Sequence, residues 1–227
     1  MAHPGPASLA DVPQSRDRPV VPLITGHGVL VVAATSRELA TPAGWLTLCT
    51  GVGPVEAAAA TAAELAVRHP AVLLHVGIAG ARRNAGLQPG TLVIGSSSVY
   101  HDLMALPPEW ASRVVAANPV LLAAAKSRLP DAVVAPIGTS ARVGGTLHGE
   151  GTPCPVEAME GFAVLRAAER AGVPAIEVRA ISNAIEETDR SRWDFERAFA
   201  AITAVTPLLV HALAAAVASG ADGDAGA

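Results

Sequence analysis

The sequence predicts a single-domain α/β protein whose largely parallel sheet is covered by helices on both faces. Short continuous apolar runs of strand length alternate along the chain with longer, alanine-rich helical segments. Apolar strands of this kind, separated by helices, are typical of parallel strands buried on both faces. A length of 227 residues suits one such domain, and the chain shows no internal repeat.

Each element follows from its own local pattern. The first apolar run ends where polar Thr35 and Ser36 begin, and Pro54 favours a helix start because proline fits the first turn. The predicted strands are 28–34, 45–50, 71–76, 91–99, 132–137 and 174–181. The predicted helices are 55–68, 121–128, 157–171 and 191–217.

The two ends of the chain differ in composition from its middle. Residues 1–27 combine several prolines with polar residues and lack the order of a signal peptide, so we predict a disordered extension. Residues 219–227 are a low-complexity run of Gly, Ala, Ser and Asp, which predicts a flexible tail. The predicted folded domain is therefore 28–218.

Composition excludes several classes of protein. The formal net charge is −4 and Lys126 is the only lysine, so the chain lacks the clustered basic residues of a nucleic-acid-binding protein. Two distant cysteines, Cys49 and Cys154, give no disulfide framework and fit a reducing, cytoplasmic location. No run approaches the roughly 20 consecutive apolar residues of a membrane span. We expect neither a membrane nor a nucleic-acid partner.

Two polar residues lie where the predicted sheet would bind a ligand. Glu160 begins an apolar helical run, and Asn183 lies at the carboxyl end of the last predicted strand. In parallel α/β sheets, ligands bind outside the carboxyl ends of the strands. A carboxylate there can accept from two adjacent sugar hydroxyls, and a carboxamide can donate to and accept from a heterocycle edge. Together they predict a nucleoside site.

Two further segments each allow a structural and a functional interpretation. Glu38 follows the first strand and is either an acidic residue stabilising a loop or helical turn, or a catalytic carboxylate at the strand's end. The segment Gly77-Ile78-Ala79-Gly80 follows a buried strand. It offers backbone amides to a ligand or serves the turn alone. Its spacing does not match the dinucleotide-binding fingerprint.

Histidines and serines indicate little further chemistry. His75 lies inside an apolar strand and is predicted to be a core residue, whereas His101 follows a strand and could reach a ligand. No His, Cys or carboxylate spacing predicts a metal site, and no cofactor is expected. The serines lack a Gly-x-Ser-x-Gly elbow, which disfavours acyl transfer.

The polar run 186–194 directly after Asn183 also has two interpretations. It is either a solvated loop in which Asp189 or Ser191 caps the last helix, or a lid or interface that includes Trp193.

Taken in order, these motifs resemble the nucleoside phosphorylase and nucleosidase superfamily. Over 29–214, the resemblance rests on Ser-Arg-Glu-Leu at 36–39, Gly-Ile-Ala-Gly-Ala at 77–81, Tyr-His-Asp at 100–102, Val-Glu-Ala-Met-Glu-Gly at 156–161 and Ala-Ile-Ser-Asn at 180–183. The Ile-Ser-Asn motif followed by 189–194 is most similar to the futalosine hydrolase family. That family cleaves futalosine to hypoxanthine and dehypoxanthine futalosine in menaquinone biosynthesis.

The resemblance implies a fold, an assembly and a set of roles. It implies a nucleoside phosphorylase-like, three-layer α/β/α sandwich around a mixed, largely parallel sheet, in a homo-oligomer (dimer or tetramer). Glu38 would activate the attacking water, Met159 pack against the ribose, Glu160 bind its hydroxyls and Asn183 face the purine. The predicted catalytic residues are Glu38, Glu160 and Asn183, and the predicted substrate-binding residues are Gly77, Ile78, Ala79, Arg142, Val143 and Met159.

The chemistry of glycosidic cleavage is consistent with these roles. Cleavage builds positive charge on the sugar and negative charge on the leaving purine. A carboxylate beneath the ribose stabilises the first, and hydrogen bonds to the base stabilise the second. Asn183 can donate to a six-oxo group but cannot deliver a proton as an acid. Hypoxanthine or guanine therefore suits it better than adenine.

Three other functions remain open from the sequence. Asn183 disfavours a methylthioadenosine or S-adenosylhomocysteine nucleosidase, because nucleosidases acting on six-amino purines commonly carry Asp there. A purine nucleoside phosphorylase would need a phosphate-binding set, which cannot be assigned. A degenerate nucleoside-binding protein would not need Glu38. The candidates for recognising the benzoate of futalosine are Arg82, Arg83, Arg142 and Arg192.

Overall fold

Eight strands and four α-helices make up the part of the chain that the computed structural model describes, residues 28–103, 107, 109–143 and 154–224. The strands are β1 (Val29–Ala33), β2 (Leu46–Cys49), β3 (Val72–Ala81), β4 (Leu92–Tyr100), β5 (Val114–Ala116), β6 (Val133–Thr139), β7 (Val156–Ala158) and β8 (Ala175–Ala184). The helices are α1 (Pro54–Val67), α2 (Pro119–Arg128), α3 (Gly161–Ala171) and α4 (Phe195–Asp224). The predicted disordered extension, 1–27, lies outside the described residues.

The strands form one mixed sheet in which parallel pairs predominate, as predicted. The sheet runs β2-β1-β3-β7-β6-β4-β5, and β8 pairs with both β3 and β4. The pairs β3–β7, β4–β5 and β4–β8 are antiparallel, and the other five are parallel. Strands β3, β8, β4, β6 and β7 thus close into a circuit, which the alternation of strands and helices does not predict.

Helices cover both faces of the sheet, which confirms the three layers. Along β1, Val29 and Val31 join a core with residues of α2 and α4, while Leu30 and Val32 join a second core with residues of α1 and α3. Successive side chains of a strand point to opposite faces, so one apolar strand supplies both cores. A third cluster, which includes Ile137 and Ile181, fills the closed circuit of strands.

The largest difference from the predicted elements concerns the segment around Glu157. The sequence predicts a helix from this residue, but Val156–Ala158 forms β7, where Glu157 pairs with Gly80 and Gly138. Helix α3 begins at Gly161, and the Phe162 amide donates to Thr139 Oγ1 at 2.8 Å. In the sequence, the apolar pattern of the helix extends back to Glu157. Pairing with β3 and β6 nevertheless makes this segment a strand.

Strands β3 and β8 run well past their predicted ends, and a second strand besides β7 was missed. Strand β3 continues through Gly77–Gly80, which the sequence analysis placed after the strand, because β8 pairs alongside it to Ala81. Strand β8 likewise reaches Ala184. The missed strand β5 has only three residues, too few to show a period.

The chain around the last helix also differs from prediction. Arg190–Arg192 is a separate 3₁₀ turn capped by Asp189, whose Oδ1 accepts from the Ser191 amide at 3.0 Å; α4 begins only at Phe195. Asp189 therefore caps the turn and not the helix. The helix continues to Asp224, into the segment predicted to be a flexible tail, and the mobility of that segment remains a prediction.

Helix α4 contains a segment that was not expected from the sequence. Residues Phe195–Ser219 are long and apolar enough, by length and composition, to cross a membrane. The same helix packs against the sheet through Ala198, Ile202, Leu209 and Leu213, all fully buried. A core helix meets the same criteria of length and composition, so this segment is weak evidence for a membrane span.

Candidate active site

A cavity of about 420 Å³ lies at the carboxyl ends of β1, β3 and β8. These neighbouring strands are parallel, so their carboxyl ends meet at one edge of the sheet. Eight of the nine predicted site residues line the cavity: Glu38, Ile78, Ala79, Arg142, Val143, Met159, Glu160 and Asn183. The sequence prediction that distant motifs converge on one pocket agrees with this geometry.

Gly77, the ninth predicted residue, does not line the cavity and has a different use. A Cβ on Gly77 would lie 2.1 Å from Arg179 Nη1 and 2.9 Å from Glu38 Oε1. Only glycine leaves room for both side chains at this point of β3. The structure thus gives Gly77 a spacing role beside two charged groups, and its predicted substrate contact stays a prediction.

Glu38 is held by bonds to both of its carboxylate oxygens. Oε2 accepts from the Thr35 amide and the Thr35 hydroxyl, each at 2.8 Å, and Oε1 accepts from the Ile78 amide at 3.1 Å. The side chain is only 4% exposed although the residue ends a short 3₁₀ turn. This acidic residue stabilises its turn and also lines the cavity, and its catalytic role stays a prediction.

Glu160 lies at the start of α3 and faces the same cavity. Its Oε1 accepts from the Gly53 amide at 3.0 Å, and its Oε2 lies 3.6 Å from Arg179 Nη2. Burial raises the pKa of Glu160 above its ordinary value, although Arg179 and the Gly53 amide act in the opposite direction. The carboxylate retains lone pairs that can accept from a bound ligand.

Arg179, which the sequence analysis did not single out, connects these carboxylates. It is fully buried, and its Nε donates to Glu177 Oε1 at 2.7 Å. Burial alone would lower the pKa of Arg179, but Glu177, Glu160 and Glu38 outweigh that effect and raise it. Its Nη1 has no hydrogen-bond partner among the described residues. The pair of opposite charges Glu177 and Arg179, within an otherwise apolar run of β8, was the sequence signal that could have identified it.

His75 is buried, as its place in an apolar strand predicts, and it contacts Arg179. Its Nδ1 lies 3.0 Å from the Val32 carbonyl oxygen, and its Nε2 contacts Arg179 Nη2. Burial first, and then the neighbouring guanidinium, lower the pKa of His75 well below its ordinary value. A neutral ring therefore donates from Nδ1 to the carbonyl and accepts at Nε2 from Arg179.

Asn183 has one fixed orientation within the cavity wall. Its Nδ2 donates to the Ala184 carbonyl at 2.9 Å, and its Oδ1 accepts from the Ser182 hydroxyl at 2.7 Å. Because a carbonyl oxygen only accepts, Ala184 keeps the amide nitrogen on its side. One Nδ2 proton and one Oδ1 lone pair remain for a ligand.

The turn that carries Arg142 is held by the Tyr-His-Asp motif. Asp102 accepts from the Ser140 hydroxyl at 3.0 Å and from the Ala141 amide at 2.8 Å. His101 lies in the interior, with its Nδ1 3.4 Å from Glu157 Oε2. It does not line the cavity, whereas Glu157 does. No group of three or more metal-ligating side chains occurs among the described residues.

One wall of the cavity is aromatic, and the sequence analysis identified it only as a possible lid. We call Trp193, Phe195 and Phe199 the aromatic wall; all three line the cavity, as does Arg190. Neighbouring ring centroids lie 5.5 Å and 6.1 Å apart. The wall joins the Glu38 turn, because the Arg37 guanidinium lies 4.4 Å from the Phe199 centroid.

Comparison with known proteins finds a matching family and relatives in sequence. A family model described as the phosphorylase superfamily matches residues 45–217. The chain is 34% identical over 190 residues to a futalosine hydrolase of Streptomyces coelicolor, which covers 71% of this chain and 77% of that protein. It is 35% identical over 184 residues to a futalosine hydrolase of Acidothermus cellulolyticus, covering 69% and 74%.

Solved structures share the fold. A methylthioadenosine/S-adenosylhomocysteine nucleosidase from Colwellia psychrerythraea superposes with a TM-score of 0.70 at 20% identity, covering 86% of this chain and 98% of that one. A futalosine hydrolase of Helicobacter pylori gives 0.72 at 16% identity, covering 82% and 97%. By its family model and its relatives in sequence, the chain belongs to the phosphorylase superfamily and, within it, to the futalosine hydrolases.

Proposed function

We propose that this protein hydrolyses the N-glycosidic bond of futalosine, releasing hypoxanthine and dehypoxanthine futalosine. The observation that carries the proposal is the meeting of Glu38, Glu160 and Asn183 at one cavity in a chain whose relatives are futalosine hydrolases. This hydrolysis needs a group that accepts from the sugar hydroxyls, a group that binds the purine edge and a carboxylate that activates water.

We place the attacking water at the carboxylate of Glu38. Its Oε2 already accepts two bonds, while Oε1 accepts one, from the Ile78 amide. A water in the cavity would donate to Oε1, which leaves an oxygen lone pair for the sugar carbon. Arg179 is fully buried and does not line the cavity, so it acts on Glu38 through its charge.

In the proposed hydrolysis, the bond that forms at C1′ is matched by the bond that breaks there. The water oxygen forms a bond to C1′, the bond from C1′ to the purine nitrogen breaks, and its electron pair leaves with the base. Glu38 takes a proton from the water. Glu160 accepts from the ribose hydroxyls and stabilises the positive sugar, while Asn183 donates to the purine. Since Asn183 cannot release a proton, the base receives its proton from solvent.

The charges around Arg179 favour water over phosphate as the nucleophile. Glu38, Glu160 and Glu177 surround this one guanidinium. A phosphate dianion would enter a field dominated by carboxylates, and like charges at short range repel strongly in a buried site. A neutral water has no such penalty, so hydrolysis is favoured over phosphorolysis.

Three finer statements belong to the same proposal. We assign the reaction to menaquinone biosynthesis and the enzyme to the cytoplasm, in keeping with the free thiols of Cys49 and Cys154. We also propose a homo-oligomer, either a dimer or a tetramer. Exposed apolar side chains such as Val52, Val55 and Trp110, each more than half exposed, are available to an interface.

The test is a comparison of three nucleosides. Purified protein is incubated with futalosine, inosine and methylthioadenosine, each with and without phosphate, and the free base is measured. We expect hypoxanthine from futalosine at a rate that phosphate does not change. Release of base only in the presence of phosphate, or adenine from methylthioadenosine as the main product, would contradict the proposal.

A further inference from the structure

We propose that Arg190 and the aromatic wall form a subsite for an aryl carboxylate attached to the sugar of the substrate. The inference rests on the proposed function, since futalosine carries a benzoate, and it names the residues that recognise this group. The sequence left Arg82, Arg83, Arg142 and Arg192 as equal candidates and did not include Arg190.

Three of the four sequence candidates have other contacts and do not line the cavity. Arg82 Nε donates to the Cys154 carbonyl at 3.2 Å. Arg83 lies 3.8 Å from Glu187, and Arg192 lies 3.6 Å from Glu187 and from Asp189. Of the four, Arg142 alone faces the cavity. Arg190 faces it as well and forms no ion pair with a carboxylate among the described residues.

The aromatic wall favours Arg190 over Arg142. The chain has seven aromatic residues (three Phe, three Trp and one Tyr), and three of them line this one cavity. The Arg190 guanidinium lies over the Trp193 ring, 5.9 Å from its centroid, so a cationic donor is part of the same cavity wall as the three rings. A benzoate has the matching form, a flat apolar ring with an anionic edge.

Contacts within the protein orient the rings of the wall. Trp193 Nε1 donates to the Glu187 carbonyl at 2.9 Å, which orients the indole. Phe195 and Phe199 stack at an interplanar angle of 18° on the first turns of α4. Because these rings are half-buried and contact one another, the proposed subsite needs little reorganisation of the protein to bind an aryl group.

The wall lies on the side of the cavity that suits a sugar substituent. Arg37, next to Glu38, stacks on Phe199, so the wall adjoins the carboxylate proposed to face C1′ of the sugar. Asn183 is proposed to contact the purine. A group carried by the sugar and directed away from the base can therefore reach the rings and Arg190.

The test separates the aryl carboxylate from the rest of the substrate. Wild type, Arg190→Gln and Arg190→Lys are compared for kcat and KM with futalosine, and for inhibition of that reaction by inosine, which lacks the benzoate. We expect Arg190→Gln to raise KM for futalosine by about 10-fold or more with kcat nearly unchanged. Arg190→Lys should recover part of the loss, and the inhibition constant of inosine should not change.

Arg192→Gln is the matched control, because it removes a neighbouring arginine that does not line the cavity. It should leave both the KM for futalosine and the inhibition constant of inosine unchanged. An unchanged KM for futalosine in Arg190→Gln, or an equal loss for futalosine and inosine, would overturn the subsite while wild type still cleaves futalosine. Failure of wild type to cleave futalosine would instead overturn the proposed function and the subsite with it.

Discussion

Asn183 is the residue whose chemistry bears most directly on which purine is cleaved. Its bonds to Ser182 and Ala184 leave a single amide proton free, and that proton suits a six-oxo acceptor. Asn183→Asp would replace the donor with an acceptor facing O6. We predict a loss of about 100-fold in kcat/KM for futalosine, with a smaller loss or a gain for its six-amino analogue.

Steady-state kinetics give kcat/KM for futalosine and for its six-amino analogue, and the ratio of the two values is compared between variant and wild type. Thr188→Ser, a change in an exposed loop residue, is the control and should leave the ratio unaltered. Equal losses on both nucleosides would mean that Asn183 supports the cavity wall and does not read the six-substituent.

At the residue scale, the sequence predicted the polar groups that face the cavity but not the group that connects them. Glu38, Glu160 and Asn183 follow strands or begin a helix, where a polar residue stands out from its apolar neighbours. Arg179 lies within β8, and its compensation by Glu177, Glu160 and Glu38 depends on contacts between distant segments. No local pattern contains that information.

At the scale of elements, β3 shows how a strand that continues past its apolar run builds the site. Its last residues bring the Ile78 amide to Glu38 and place Gly77 under Arg179. The sequence predicts that this strand ends at Val76, because glycine-rich segments often follow buried strands. Pairing with β8 on one side and β7 at the end keeps the segment extended.

Gly77→Ala tests this arrangement. The new methyl group would overlap Arg179 Nη1 and approach Glu38 Oε1, so one or both side chains must move. We predict a fall of about 100-fold in kcat, as expected when catalytic groups shift by about 1 Å. We also predict a loss of about 1–3 kcal/mol in the free energy of unfolding, measured by urea denaturation.

Gly28→Ala is the matched control, because a Cβ at Gly28 meets nothing within 4 Å. It should change neither kcat nor stability by a comparable amount. Wild-type activity in Gly77→Ala would show that the spacing between Arg179 and Glu38 does not matter for turnover.

For the whole molecule, the buried histidine of β3 couples stability to pH. The pKa of His75 is well below its ordinary value in the folded protein and ordinary in the unfolded chain. As the pH falls below about 6.5, the unfolded chain binds a proton that the folded protein does not. Stability therefore falls with decreasing pH in that range, by up to about 1.4 kcal/mol per pH unit for this one group.

His75→Gln should remove this part of the slope, because glutamine can still donate to Val32 and accept from Arg179 without titrating. Urea denaturation at pH 7.5, 6.5 and 5.5 gives the difference in unfolding free energy between variant and wild type. We predict that the variant becomes more stable relative to wild type as the pH falls. His69→Gln, at an exposed histidine, is the control. A constant difference at all three values would refute the coupling.

The class of fold was accessible from the sequence, and the closure of the sheet was not. Alternating apolar strands and helices specify layers, and the two cores on either side of β1 confirm them. Closure depends on β8 pairing with β3 and β4 and on the short strand β7. Those pairings involve segments far apart in the chain, and they set where the cavity lies.

The most direct measurement of the central claim is made on Glu38→Gln. The claim is that one cavity holds an intact nucleoside while Glu38 activates the water that attacks it. Single-turnover release of hypoxanthine is followed over a range of enzyme concentrations, which gives both the dissociation constant of futalosine and the rate of its cleavage, with Glu56→Gln, at an exposed glutamate, as the control.

The account predicts that Glu38→Gln binds futalosine within a few-fold of wild type and loses at least about 100-fold in the cleavage rate. Glu56→Gln should match wild type in both. Loss of binding with cleavage of the bound nucleoside still near the wild-type rate would contradict the role of Glu38 and the mechanism built on it.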